Sequence, residues 1–259
     1  MLQSLGGSVR RLGLDPGGRG ARMGWALRLS RVPERHFDHL EKKRLQKGYF
    51  FELNEMRDTG GKVFPCSPHL LSHRTSKDFP RNVSAHPINF STGHPGLAVP
   101  THPKGPVDVA GLLTDESGAG SSGTVVGVYF RENAKGHLRT WTEGFLASSR
   151  ASQAKVGVLE LCCVESLLFR AGPLKSVILG GLAKEMAKRE QGSAVGGIKL
   201  MAAFGNLREF QRLLDISNRL TAYCFLVDKG GKVRWRGSGE ATPEELGKLR
   251  QASEDLSRG

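Results

Sequence analysis

The C-terminal half of the chain predicts an α/β fold, in which helices flank a central mixed sheet. From residue 124 onward, short apolar runs alternate with amphipathic segments, which is typical of strands and helices that share one mostly parallel sheet. Near the C-terminus, an apolar run precedes Asp-Lys-Gly-Gly and an alternating segment, which indicates a β-hairpin. A Thr-Pro-Glu-Glu sequence then predicts a sharply capped final helix.

The first predicted elements are a buried strand and an amphipathic helix. The strand is "TVVGVYF" (124–130), a continuous apolar run. Asn133 is the candidate N-cap of the helix, since its side-chain oxygen can accept a hydrogen bond from a free amide of the first turn. Three apolar side chains then share one helix face: Leu138, Trp141 and Phe145.

Two further strands alternate with helices in the middle of this region. The sequence predicts strands over 155–165 and 197–205, with a helix over 166–190 between them. Asn206 is the candidate N-cap of the short helix that follows, "LREFQRLLDI". The apolar run over 222–227 is then the first strand of the hairpin.

The last elements carry the clearest local signals. Glycines in the hairpin turn supply the positive φ that such turns need. Val233 and Trp235 alternate with arginines, so one face of the second hairpin strand is predicted to be packed and the other wet. Thr242 and Glu245 form a capping box around a proline. The order β-α-β-α-β-α-β-β-α is that of a thioredoxin-like domain with an inserted strand or helix in its middle.

Such domains usually carry out cysteine chemistry, but the thiol that this chemistry requires is missing. The reactive cysteine belongs at the start of the first core helix, where the helix N-terminus lowers the thiol pKa. That segment, 130–141, contains no cysteine, and no proline precedes the hairpin within 215–223. Cys162 and Cys163 are adjacent on a predicted strand, so buried free thiols are favoured over a strained disulfide. Cys224 is predicted to fill the core.

Other catalytic and metal-binding patterns give little signal. The sequence has no nucleophile elbow, no His-Glu-x-x-His motif and no phosphate-binding loop. Cys66, His69 and His73 are residue types that bind zinc, with His86 the nearest fourth candidate. A proline-rich polar arm that contains histidines accounts for them more simply. We therefore expect no enzyme activity, no cofactor and no metal site.

The charge of the chain favours an anionic partner. The formal net charge is +13 over 259 residues, which is compatible with nucleic acid, an anionic membrane surface or an acidic protein. Residues 1–35 contain seven arginines and two acids, a composition typical of a mitochondrial transit peptide. A basic tail that binds nucleic acid is the alternative. No apolar run is long enough to predict a membrane-spanning helix.

The sequence predicts four regions. The transit peptide (1–35) precedes a helical motif over 36–64, which is punctuated by two glycines at its end. Residues 65–123 are predicted as an irregular or weakly extended arm and linker, because eight of the 12 prolines fall between 65 and 106. The thioredoxin-like domain is assigned to 124–259.

The helix predicted over 166–190 is the best candidate for a contact surface. It is basic and apolar, so it can lie at a membrane interface or hold an apolar partner helix. An ordinary helix packed on the sheet is the alternative. The residues expected to contact a partner or membrane are Leu168, Phe169, Leu174, Lys175, Ile178, Leu182 and Lys184.

Two segments resemble the signatures of a known family. "KRLQKGYFFELNEMRDTGGKVF" (43–64) and "LTAYCFLVDKGGKVRWRGSGEATPEEL" (220–246) are similar to those of the ATP-ten family, a thioredoxin-like family of mitochondrial ATP synthase (ATPase complex) assembly factors. The segment 125–145 fits the first core strand and helix of the same family. The signature residues are Gly48, Tyr49, Phe50, Gly60, Gly61, Asp228, Trp235, Gly239, Ala241, Thr242 and Glu245.

The resemblance implies a non-enzymatic role at a membrane. Members of this family assist assembly of the membrane (Fo) sector at the matrix side of the inner membrane, and they contact the hydrophobic proton-channel subunit, subunit 6 (a). The resemblance therefore implies an assembly chaperone, with no catalytic residues. Two other function classes stay open: a thioredoxin- or peroxiredoxin-like redox protein that uses Cys162 and Cys163 unconventionally, and a basic RNA-binding module associated with the mitochondrial ribosome.

Overall fold

The structure, a computed structural model, is organised around a mixed β-sheet with helices on both faces. It describes residues 48–91, 99–101, 105–114, 122–147, 156–165, 173–192 and 198–259. The helices are α1 (48–59), α2 (Val109–Thr114), α3 (Ala134–Leu146), α4 (Pro173–Gly192), α5 (Arg208–Leu213) and α6 (Pro243–Arg258). The strands are β1 (Lys77–Asp78), β2 (Ser84–Pro87), β3 (Asn89–Ser91), β4 (Val99–Thr101), β5 (Val107–Asp108), β6 (Gly123–Tyr129), β7 (Val156–Val164), β8 (Ile198–Phe204), β9 (Tyr223–Asp228) and β10 (Lys232–Ser238). The predicted transit peptide (1–35) lies outside the described residues.

The strand order confirms the predicted fold class. Eight strands form one sheet in the order β1-β10-β9-β6-β7-β8-β2-β5, and β3 pairs with β4 separately. β6, β7 and β8 run parallel, whereas β9 is antiparallel to β6, and β10 is antiparallel to β9. The strands β7, β6, β9 and β10 with α3, α5 and α6 give the thioredoxin-like plan. The helix α4 and the strand β8 are the predicted insertion.

Side chains of the central strands alternate between two cores, one on each face of the sheet. On β6, Val126 and Val128 pack into one core together with residues of α2 and α5. Val125 and Tyr129 point to the opposite core, which α3, α4 and α6 cover. Burial on both faces is why the central strands are uninterrupted apolar runs in the sequence.

The proline-rich stretch before residue 124 contributes short strands to the same sheet. β1 pairs with β10 at one end, while β2 and β5 extend the sheet beyond β8 at the other. These strands contain only two to four residues, and β2 ends at Pro87, which has no amide proton to donate to a ladder. The boundary that the sequence predicts at residue 124 therefore falls within one sheet.

Two predicted helix caps differ in detail from the structure. Asn133 precedes α3, but it has a helical backbone, and its side chain donates to the Leu220 carbonyl oxygen at 3.1 Å without capping the helix. The N-cap of α5 is Leu207, and the Asn206 side-chain oxygen accepts from the Arg208 amide at 3.2 Å. The predicted N-cap position is therefore right for Asn133, whose side chain makes a different hydrogen bond, and one residue early for Asn206.

The terminal hairpin and helix follow the sequence pattern closely. In the turn, the Asp228 carboxylate accepts from the Gly230 and Lys232 amides at 2.9 Å each, and Gly231 has a φ of 77°. Thr242 and Glu245 form the predicted capping box at the start of α6. Each of these features depends on residues close together in the chain, so the local sequence was sufficient to predict them.

Gly239 lies where the hairpin meets a distant part of the chain. Its φ is 74°, a left-handed conformation that glycine adopts without strain. A Cβ atom at this position would lie 2.8 Å from the Gly61 carbonyl oxygen. The backbone on both sides is held, because the Gly239 amide donates to the Ala222 carbonyl and its own carbonyl accepts from the Trp141 indole. The close approach therefore requires glycine.

We expect Gly239→Ala to lower the free energy of unfolding by roughly 2–3 kcal/mol, because it combines an unfavourable φ with a backbone clash. Gly247→Ala is the matched control. Gly247 lies in α6 with open space around its Cα, so alanine there should be neutral or stabilising. Urea denaturation of both variants tests this difference. Equal stability of Gly239→Ala and wild type would show that the close contact is not needed.

Candidate functional site

The start of α3, where a thioredoxin-like enzyme carries its reactive cysteine, is occupied by polar residues without a thiol. Glu132 forms an ion pair with Lys135 at 2.9 Å, and the Asn133 amide group holds the Leu220 carbonyl. Arg131 is exposed to solvent. None of these groups is a redox nucleophile, so this position cannot perform dithiol exchange.

The four cysteines are free and poorly suited to reaction. Cys162, Cys163 and Cys224 are buried, and burial raises the pKa of each thiol above its usual range. Burial, followed by the nearby Glu245 carboxylate, also raises the pKa of the half-exposed Cys66. A raised pKa leaves little thiolate at neutral pH, so the predicted roles as buried core residues agree with the structure better than a redox role does.

The residues with zinc-binding chemistry do not assemble into a site. Within the ranges that the structure describes, no group of three or more His, Cys, Asp or Glu side chains is arranged to hold a metal ion. Cys66 packs partly against the core, whereas the His73 imidazole lies 3.5 Å from the Asp228 carboxylate. The spacing in sequence therefore does not bring Cys66, His69 and His73 together as ligands.

The two signature segments, distant in sequence, form one structural unit in space. Its first contact is Lys62, whose ammonium group lies 2.5 Å from the Glu245 carboxylate, contacts the Glu240 carbonyl and stands 5.4 Å from the Trp141 ring centroid. Phe64 and Ser238 then exchange two hydrogen bonds, at 3.1 and 2.9 Å. We call the segments 60–67 and 234–245, held together in this way, the signature joint.

Two tryptophans form the interior of the signature joint. Trp141 and Trp235 pack edge to face with their ring centroids 5.5 Å apart, and both are fully buried. Each indole nitrogen donates to a backbone carbonyl at 2.8 Å, that of Trp141 to Gly239 and that of Trp235 to Ser67. The rings thus fix both backbone segments of the joint at once.

The helix α1 is held by hydrogen bonds and ion pairs on the loop that precedes β9. The Arg219 guanidinium bridges the buried Glu52 carboxylate at 2.7 Å and the Glu165 carboxylate at 3.0 Å. Asn218 donates to the Glu52 carbonyl at 2.8 Å and to the Glu55 carboxylate at 2.9 Å. In redox thioredoxins this loop shapes the substrate groove, whereas here it anchors a helix of the same chain.

The C-terminal end of α1 closes against the same loop. Gly60 and Gly61 have φ values of 60° and 81°, which end the helix, and the Gly61 amide donates back to the Met56 carbonyl at 3.0 Å. The Gly61 carbonyl in turn accepts from the Thr221 hydroxyl at 2.9 Å. The glycine pair at this signature therefore connects α1 to both the loop before β9 and Gly239.

The predicted contact residues on α4 occupy different environments. Leu182 is 5% exposed and belongs to the core, which corrects its assignment to the contact surface. Ile178 packs partly against the same core, and the Lys175 ammonium lies 5.2 Å from the Phe204 ring centroid. Leu174 and Lys184 are exposed. The prediction for Leu168 and Phe169 falls outside the described residues.

The most exposed apolar side chain among the described residues of α4 is one that the sequence pattern does not mark as a contact residue. Val177 is 69% exposed, and its neighbour Leu174 is 45% exposed. Because they are three positions apart, both side chains lie on one face of the helix. The spacing was visible in the sequence, but alternating apolar residues on all sides of the helix concealed which face is buried.

Ion pairs hold the C-terminal half of α4 against α3 and β7. Glu185 contacts Lys135 at 2.5 Å and Arg139 at 2.7 Å. Burial alone would raise the pKa of the Glu185 carboxyl, but these cations hold it below its usual range. Arg189 reaches the buried Glu160 carboxylate at 2.7 Å. Because Glu185 and Arg189 are each paired with charged groups of α3 or β7, this half of α4 has a fixed position on the domain.

A comparison with protein families gives a match over most of the chain. The model of the family described as "ATP10 protein" matches residues 34–256. The chain belongs to the ATP10 protein family. This is a family of ATP synthase assembly proteins, so the resemblance read from the two sequence segments is confirmed. No curated protein matches the chain.

Among solved structures, this ATP10-family chain is similar to two bacterial proteins with disulfide chemistry in their descriptions. One is a candidate thiol:disulfide interchange protein DsbE from Chlorobium tepidum, at 14% identity and a TM-score of 0.39, covering 70% of this chain and 96% of that one. The other is a candidate protein disulfide isomerase from Bacteroides thetaiotaomicron, at 15% identity and a TM-score of 0.34, covering 77% and 94%.

The signature residues of the ATP10 chain serve mainly to hold the structure together. Gly60, Gly61, Trp235, Gly239 and Glu245 all lie in the signature joint or at its edge. Other members make further contacts: the Ala241 amide donates to the Thr140 hydroxyl at 2.8 Å, the Asp228 carboxylate accepts in the hairpin turn, and Thr242 caps α6. Tyr49 and Phe50, next to Gly48 at the start of α1, are instead exposed.

We expect Arg219→Ala to destabilise the docking of α1 by roughly 2–3 kcal/mol, because it removes the guanidinium that pairs with the buried Glu52 carboxylate. Arg57→Ala is the control, since Arg57 is exposed on the same helix. Hydrogen exchange of the α1 amides measures the docking directly. If Arg219→Ala and Arg57→Ala leave α1 equally protected, the ion pair does not hold the helix.

We expect Cys162, Cys163 and Cys224 of the folded chain to react with a maleimide at neutral pH more than about tenfold slower than in the urea-unfolded chain, because they are buried and have raised pKa values. Half-exposed Cys66 should react first. Mass spectrometry of peptides from labelled protein gives the order. Rapid labelling of Cys162 or Cys163 in the folded chain would reopen a redox role.

Proposed function

We propose that this chain is a non-enzymatic assembly factor for the membrane (Fo) sector of mitochondrial ATP synthase. The observation that carries the proposal is the family match over residues 34–256. In this role the protein acts as a chaperone that binds subunit 6 (a), the hydrophobic proton-channel subunit, at the matrix side of the inner membrane. In this proposal it works as a peripheral protein of that membrane. No helix among the described residues could span a bilayer.

The chemistry of the fold supports a holding role over a catalytic one. The start of α3 carries Glu132 and Asn133 where a redox enzyme needs a thiolate, and the buried Cys162 and Cys163 have raised pKa values. The loop before β9 binds α1 through Arg219 in place of a substrate. A ribosome-associated role has only the net charge in its favour.

The exposed face of α4 is the proposed contact for the membrane subunit. Leu174 and Val177 place two apolar side chains in water, while the ion pairs of Glu185 and Arg189 fix the other half of the helix. An apolar helix that covers this face removes the two side chains from water without moving α4. Lys184, which is exposed further along α4, keeps its ammonium group in water at the edge of this contact face.

The proposed organisation places a removable segment before the folded part. The family match begins at residue 34, next to the end of the arginine-rich segment assigned as a transit peptide, 1–35. We propose that this segment directs import and is then cleaved. After cleavage, residues 36–64 form a helical motif and 124–259 the thioredoxin-like domain. The arm between them, 65–123, contributes short strands to the sheet.

We expect Leu174→Ser/Val177→Ser to lower capture of newly made subunit 6 about tenfold, since two apolar side chains no longer leave water on binding. Gly181→Ser/Lys188→Ser is the matched control at two exposed positions of the same helix. Crosslinking in mitochondria that lack the native protein measures capture, and native gels measure assembled ATP synthase. Normal capture and assembly with the first variant would refute the proposed contact.

A further inference from the structure

A second exposed apolar feature lies far along the sequence from α4. Among the described residues, the large apolar side chains exposed to solvent are Tyr49, Phe50, Val107, Leu174, Val177 and Leu213. Val107 and Leu213 are isolated, and single exposed apolar residues are normal on protein surfaces. Leu174 and Val177 belong to the proposed subunit contact. Tyr49 and Phe50, at the start of α1, are not part of that contact.

We propose that Tyr49 and Phe50 insert into the interface of an anionic phospholipid membrane. The inference deepens the proposed function, on which it rests for placing the chain at a membrane, and it names the element that touches the lipid. Tyr49 is 56% and Phe50 73% exposed, and their rings stand edge to face with centroids 6.3 Å apart. Adjacent aromatic side chains that are largely in water fit the headgroup region, where aromatic residues are enriched.

The sequence next to this aromatic pair is basic. Lys42, Lys43, Arg44 and Lys47 precede it, and no acid falls between 42 and 51. Lys47 is two positions before Tyr49 in the sequence, and Arg44 is five positions before it. Basic residues next to inserted aromatic side chains attract anionic headgroups, and each one strengthens binding to the membrane surface.

The opposite side of α1 is fixed to the domain. Glu52 is two residues after Phe50, which places the two side chains about 200° apart around the helix. The Glu52 carboxylate is buried on Arg219, while Glu55 accepts from Asn218. The anchoring contacts therefore point into the protein and leave Phe50 outward. They also place a cation beside the nearest acidic group, which reduces its repulsion of anionic lipid.

The surroundings of the aromatic pair favour lipid over RNA. Phe51 and Leu53, the neighbours on α1, are apolar and half-buried. Sequence-reading RNA sites combine stacked aromatics with groups that hydrogen-bond to base edges, usually on a sheet face. A helix start with apolar neighbours and a basic flank matches an interfacial anchor more closely.

The test is co-sedimentation of the full chain with vesicles of phosphatidylcholine, with and without phosphatidylglycerol. We expect binding only to the anionic vesicles, weakened by salt, and reduced about tenfold in Tyr49→Ser/Phe50→Ser. Val107→Ser/Leu213→Ser is the matched control, because it removes two exposed apolar side chains that have no assigned contact, and it should bind vesicles like wild type. Urea denaturation confirms that each variant is as stable as wild type, as expected for exposed positions.

Subunit capture by the same variants separates this inference from the proposed function. Tyr49→Ser/Phe50→Ser that loses vesicle binding but still crosslinks to subunit 6 supports both. Loss of vesicle binding with no subunit capture even by wild type leaves the lipid contact standing and refutes the chaperone role. The lipid contact is refuted if wild type does not bind anionic vesicles or if Tyr49→Ser/Phe50→Ser binds them normally. It is also refuted if single-stranded RNA displaces the wild-type chain from the vesicles through the aromatic pair.

Discussion

The structure depends on the close approach of two glycine backbones, Gly61 and Gly239. A Cβ atom at Gly239 would lie 2.8 Å from the Gly61 carbonyl oxygen, and one at Gly61 would lie 3.2 Å from the Thr221 hydroxyl. The Gly61 carbonyl accepts from the Thr221 hydroxyl, and the Gly239 carbonyl accepts from the Trp141 indole. This contact determines where α1 ends, where the hairpin exits and how the tryptophan pair is enclosed. Much of the family signature is the set of residues that this approach requires.

Polar contacts within the chain surround the loop before β9. In a redox thioredoxin, that loop and the start of α3 face a substrate. Here the Asn133 side chain ties the α3 start to Leu220, and Arg219 and Asn218 hold α1. The groups that would receive a foreign peptide are engaged within the chain. The partner surfaces that we propose lie on helices instead, at the exposed ends of α1 and α4.

Structural features formed by residues close together in the chain could be predicted from the sequence, whereas contacts between distant residues could not. The Asp228 turn, the Thr242 cap and the strand runs each depend on residues within a few positions, so pattern and propensity predicted them. Leu182 was misassigned to the surface because α4 is apolar on several sides, and only the partners of Glu185 and Arg189 show which face packs. Arg219 was missed altogether, since its partner Glu52 is 167 residues away and no local pattern marks it.

The signature joint has a consequence for how the chain becomes folded. Its contacts connect residues 60–67 to residues beyond 234, so they join the first part of the domain to the last. Loops of this length must be closed before the contacts can form, which makes folding slow and dependent on the whole chain. A chain that crosses a membrane from its N-terminus onward cannot complete the joint until nearly all of it has arrived. Until then, Trp141 lacks the Gly239 carbonyl and the Trp235 ring that it contacts in the folded chain.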